Sequence, residues 1–138
     1  MEYVLDLAYQ HDQEPRNLRT REEVEAFVDE LATLGPAYAA ATAYAVEEGS
    51  ELLPDHELLI GVSGRTGLGA VRYSGADGTW YLRGERVNPG GVSFAYFGTA
   101  QEFPSDAEVP LAVVREALWG LLVSRGGKPG GMAWSETD

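Results

Sequence analysis

The chain has 138 residues, 44% of them apolar, and no cysteine, so one sizeable core can form and disulfide or thiol chemistry is excluded. Its 22 acidic residues face only 10 basic ones, a net charge of −12. That is the wrong sign for binding nucleic acid or an anionic membrane surface directly. No apolar run approaches the roughly 20 residues of a membrane span. The acidic start, MEYVLDLAYQHDQE, is also unlike a signal peptide. One cytoplasmic domain over residues 1–138 is therefore expected.

The charge is unevenly spread. Residues 1–57 hold 14 acids and 3 bases, whereas residues 58–138 hold 8 acids and 7 bases. Between Arg21 and Arg65 there is neither lysine nor arginine. Such a field accelerates encounter with a basic macromolecule. It would serve equally to keep the protein in solution.

In chain order, Tyr3, Leu5, Leu7 and Tyr9 alternate with Val4, Asp6 and Ala8, which predicts a strand with one buried face. His11 to Leu18 is polar, contains Pro15 and reads as a loop. Thr20 and Glu23 have the spacing of a capping box at a helix start. Val24, Phe27, Val28, Leu31 and Leu34 then form one apolar stripe, opposite Glu22, Glu25 and Asp29, until Gly35-Pro36 ends the helix. Over 37–48, Thr42, Tyr44 and Val46 alternate with alanines, which favours a strand over 41–47. An alanine-rich helix is the competing reading.

The stretch from Glu57 to Phe97 reads ELLIGVS, GLGAVRYS, GTWYLRG and GVSFAYF, four runs rich in β-branched and aromatic residues with turn residues between them. An antiparallel meander of four strands is predicted. Beyond it, Phe103-Pro104-Ser105-Asp106 and Pro110 mark a helix entry with Asp106 as its cap. Leu111, Val114, Leu118, Leu121 and Leu122 form that helix's apolar stripe, with Trp119 and Val123 off it. Gly126-Gly127 ends the helix, and Met132–Ser135 is expected to add a short strand. The order β-α-β-β-β-β-β-α-β gives an α+β fold: a single domain with a mostly antiparallel sheet and two main helices packed on it.

The motifs of catalysis are missing. His11 and His56 lie 45 positions apart, without metal-ligand spacing, and read as loop residues. Gly61-Val62-Ser63-Gly64-Arg65 has arginine where a nucleophile elbow needs its second glycine. The glycines at 64, 67 and 69 precede no helix that could present its N-terminus to phosphate. Asp55 with Glu57, and Asp106 with Glu108, lack the spacing of a calcium loop. Neither catalysis, nor a cofactor, nor a metal is expected.

An ordered series of segments carries a family resemblance. The first is PDHELLIGV (54–62), followed by GLGAVRY (67–73) and GTWY (78–81). Then come FAYFG (94–98), EFP (102–104) with DAEVPL (106–111), and GKP (127–129) leading to Trp134. This ordered series over about residues 54–134 resembles immunity protein family 1 of bacterial polymorphic toxin systems. Lys128 stands where arginine is expected, and 37–48 matches no family pattern. The resemblance implies a small protein that binds and neutralises a cognate toxin domain, often a deaminase or nuclease, without turnover. A toxin acting on nucleic acid needs a positive surface, which an acidic protein can occupy stoichiometrically.

The partner-binding candidates are Glu47, Glu48, Glu51, Asp55 and Glu57 from the cation-free stretch, and Glu102, Asp106 and Glu108 from the family-like segment. Trp80, Tyr81 and Trp119 are candidate aromatic anchors. Trp80 and Tyr81 are adjacent in a strand and point to opposite faces, so at least one belongs to the core. An acidic binding module for a non-toxin partner fits the same features. A small-molecule or catalytic domain would instead need a concave apolar pocket containing His56 or Arg72.

Overall fold

The computed structural model describes residues 3–8, 16–33, 40–49, 54–76, 78–85, 87–89, 91–96 and 99–136. Tyr9, 11–15, the helix end at 34–36, Glu51 and Phe97 lie outside the described residues. In chain order the elements are β1 (Tyr3–Ala8), β2 (Arg16–Leu18), α1 (Arg21–Thr33), β3 (Ala40–Glu47), β4 (Glu57–Ser63), β5 (Leu68–Gly75) and β6 (Gly78–Leu82). They continue with β7 (Val92–Tyr96), β8 (Thr99–Phe103), β9 (Val109–Pro110), α2 (Leu111–Val123) and β10 (Trp134–Glu136). This is the expected α+β domain with an antiparallel sheet and two helices on it.

The main sheet runs β10-β6-β5-β4-β3-β1-β2, with β9 added to the free end of β5. Residues 40–47 form a strand because both of its edges are paired. β3 bonds to β1 from Tyr3↔Glu47 to Ala8↔Thr42 and to β4 from Ala40↔Gly61 to Ala43↔Leu58. Its small residues also let the helices approach closely. Ala41, Ala43 and Ala45 are buried beneath them, in one layer with Leu5, Leu58 and Ile60. The helices contribute Val24, Phe27, Val28 and Leu31 from α1, and Val114, Ala117, Leu118 and Leu121 from α2. Each large apolar side chain buried there contributes roughly 1.5–3 kcal/mol, so this layer dominates stability.

The α1 start follows the predicted capping box. Thr20 Oγ1 accepts from Glu23 N at 3.1 Å, and Glu23 Oε1 accepts from Thr20 N at 3.1 Å. These donors hold the Glu23 carboxyl below its ordinary value: first the Arg19 backbone N–H, then the backbone and hydroxyl of Thr20. Ion pairs Arg21–Glu116 and Arg115–Asp29 tie α1 to α2.

Four expectations need correction. The Glu57–Phe97 stretch is a meander of three strands, not four. β7 leaves the sheet, pairs with β8 and lays that hairpin over the opposite face. The face it covers is built of small residues: Phe94 and Phe103 bury against Ala40, Leu59 and Ala70. A Cβ on Gly61 would collide with the Phe94 ring, so glycine there is what allows the hairpin to seat. Arg16–Leu18 is a strand rather than loop, paired with Leu5–Leu7 and anchored by the buried Leu18. Asp106 does not cap α2: the N-cap is Pro110, without a side-chain cap bond, and Asp106 instead accepts from Arg83 Nε at 2.8 Å. The last strand lies at 134–136, displaced because Trp134 Nε1 donates to Pro129 O at 2.7 Å and β10 pairs with β6.

Candidate partner-binding surface

The fold brings four of the predicted carboxylates to one end of the sheet, where β3 leads towards β4, and engages each of them. Tyr3 Oη donates to Glu47 at 3.5 Å. Glu48 pairs with Arg19. Glu57 accepts from Arg72 at 3.0 Å and from Tyr44 Oη at 2.9 Å. Asp55 lies 3.1 Å from His56 Nδ1. Its carboxyl is held below the usual range by that N–H and by its own backbone N–H. Of these residues Glu48 and Asp55 are the exposed ones.

His56 is buried, and its role is architectural. Continuing the β3–β4 register beyond Ala43↔Leu58 sets Ala45 opposite His56. There the imidazole replaces a backbone carbonyl: Ala45 N donates to His56 Nε2 at 2.9 Å. Nε2 is thus the acceptor, and the ring proton sits on Nδ1, facing Asp55. The ring also packs on Gly126, whose carbonyl accepts from Tyr73 Oη at 2.7 Å. One residue thereby fastens the C-terminus of α2 to the β3–β4 end of the sheet. Among the described residues no group of His, Asp and Glu converges as a metal site.

The aromatic candidates separate. Trp80 packs on the helix-covered face beside Tyr73, with Lys128 Nζ 4.1 Å from its ring centroid. Tyr81 lies on the other face against Phe103, with ring centroids 5.7 Å apart. Glu102 is exposed on β8. Trp119 is half-buried, with the Arg21 guanidinium 5.9 Å from its ring.

Trp119 and Glu108 also line a cleft of about 950 Å³. One wall is the outer side of α2, with Val113, Glu116, Trp119 and Val123. A second is formed by Leu82–Glu85 and Glu108–Pro110, and a third by Gly130–Ala133. The concavity follows from the pairing of β5. β6 pairs with β5 only from Arg72 to Gly75, and β9 takes over the same edge at Leu68–Gly69. The chain after Leu82 is steered away and pinned twice: Arg83 N donates to Ala133 O at 3.0 Å and Gly84 N to Asp106 O at 2.7 Å. Neither His56 nor Arg72 lines this cleft. Val113, Val123, Met132, Glu85 and Glu116 were not among the predicted partner residues. The signal that could have found part of this wall was the placement of Trp119 and Val123 off the apolar stripe of α2.

The family model of immunity protein Imm1 matches residues 12–136. The chain belongs to the Imm1 immunity protein family. No curated protein sequence gives a significant match. Membership in Imm1 places the protein in a polymorphic toxin system, with a cognate toxin as its partner and toxin neutralisation as its role. Immunity proteins of this kind are typically non-catalytic, which accords with a histidine that serves as a ladder acceptor. No helix among the described residues is long and apolar enough to cross a membrane.

Proposed function

We propose that this Imm1 protein neutralises a toxin domain that acts on nucleic acid, a deaminase or nuclease, by covering its substrate cleft stoichiometrically. The observation that carries this reading is the charge: −12 overall, with 14 acids and 3 bases in residues 1–57. A domain that grips phosphates presents lysine and arginine, and a rigid acidic protein competes for that surface. Glu48 and Asp55 are the exposed carboxylates of the β3–β4 end, in contact with Arg19 and His56.

Co-expression with the toxin domain encoded by the neighbouring gene tests this. The expected result is restored growth and a 1:1 complex whose affinity falls steeply with ionic strength. Glu48→Lys with Asp55→Lys should weaken binding at least tenfold at low salt. Unchanged affinity at low salt would remove these carboxylates from the interface. A toxin that is indifferent to nucleic acid would refute the substrate class.

A further inference from the structure

The cleft beside α2 answers to none of the fold's internal needs, and its chemistry is two-sided. Its wall is apolar where α2 and the C-terminal segment meet, at Val113, Trp119, Val123 and Met132. Among the described residues its lining carries three carboxylates, Glu85, Glu108 and Glu116, and one cation, Arg83, which is bonded to Asp106. Glu116 is paired with Arg21 from α1, which leaves Glu85 and Glu108 as the acidic part of the rim. Among the described residues, the large apolar side chains left exposed are Val123, at 65%, and Val87, at 71%. Val123 lines the cleft and Val87 does not. Exposed apolar surface bordered by charge is the composition of an interface core with its rim.

We infer that this cleft is the anchoring site for the toxin: it receives an apolar side chain flanked by lysine or arginine on a basic surface element of that domain. The inference rests on the toxin-neutralising reading and adds where the partner is held. Charge selects the occupant, since an acidic rim favours a cationic segment and disfavours an acidic or neutral one. Position supports it as well. Gly126, three residues beyond Val123, packs on His56, so the Val123 end of the cleft adjoins the exposed Asp55. The segment between them carries the exposed Arg125, whose guanidinium lies 5.4 Å from the Tyr3 ring, so the cleft and the β3–β4 carboxylates are neighbouring sites with a cation between them. The open backbone at Gly130 and Gly131, where a Cβ would meet nothing within 4 Å, leaves the third wall accessible to a side chain.

The experiment compares Val123→Arg and Glu85→Lys with Glu25→Lys, an exposed position on α1, in calorimetric titration with the toxin domain. Glu25→Lys changes net charge as much as Glu85→Lys does, so any further loss belongs to the cleft. Val123→Arg should weaken binding more than tenfold and Glu85→Lys at least fivefold beyond the control, while thermal melts of all three match the wild type. Two cleft variants that bind within twofold of the control overturn the inference and leave toxin neutralisation standing. A wild-type protein that neither binds nor neutralises the toxin takes down both. Light scattering that shows a wild-type dimer lost on Val123→Arg would assign the cleft to a second copy of the chain, against the inference.

Discussion

Replacing His56 with alanine removes the acceptor of a buried backbone donor, and the structure sets the size of the effect. Ala45 lies on a strand whose β4 partner no longer supplies a carbonyl at that level, so its N–H depends on Nε2 at 2.9 Å. A buried donor left unsatisfied costs about 1–3 kcal/mol. The vacated ring also leaves a space between Tyr44, whose ring lies 6.2 Å away, and Gly126. Together the loss should be about 2–4 kcal/mol. In a chain of this size that lowers the melting temperature by roughly 10 °C. Asp55→Ala isolates the other ring nitrogen: this carboxylate is exposed and water replaces it at Nδ1, so the melt should move far less than for His56→Ala. Denaturant unfolding followed by Trp fluorescence reads both variants. A loss below about 1 kcal/mol for His56→Ala, or equal losses for the two variants, would refute the assignment of Nε2 as a ladder acceptor. Because the residue is structural, His56→Ala should bind toxin with little change at temperatures where it is folded.

Two further outcomes follow from local geometry. Thr20→Ala removes one half of the capping box and should cost about 1 kcal/mol in thermal unfolding. The contribution from the Glu23 side is present above the carboxyl's unfolded pKa and is lost as pH falls through its depressed folded value. Asp6 on β1 behaves oppositely: partial burial raises its carboxyl above the ordinary 3.8. Ionising Asp6 is therefore a cost to folding that is absent below the unfolded pKa, grows as pH rises above it and is complete above the raised folded value. Asp6→Asn should stabilise the protein slightly at neutral pH, with the gain vanishing in a melt series below the unfolded carboxylate's pKa.

Local patterns carried the secondary structure well where the physics is local. The T-x-x-E spacing of Thr20 and Glu23, with the stripe from Val24 to Leu31, specifies α1 because capping and helical periodicity involve only near neighbours. The three runs of the meander pair as their turns predict. The errors arose where chain neighbours ceased to be spatial neighbours. The pattern around Phe94 says strand, but not which sheet; that choice depended on the flat face made by Ala40, Gly61 and Ala70 from other strands. Asp106 has the composition of a helix cap, yet Arg83, 23 residues earlier, lies within bonding distance and claims it.

The sequence alone determined a great deal about this protein: its acidity, the concentration of that charge before Glu57, the absence of cysteine chemistry, and the family resemblance borne by residues 54–134. These are properties of composition and order, which need no coordinates. The tertiary structure decided which carboxylates remain exposed, since Glu57 is held by Arg72 and Tyr44 while Asp55 faces solvent. It also decided that β6 and β9 share one edge of β5, and so created the cleft where Trp119 and Val123 meet an acidic rim. A concavity is a relation between segments distant in the chain, and only packing brings them together.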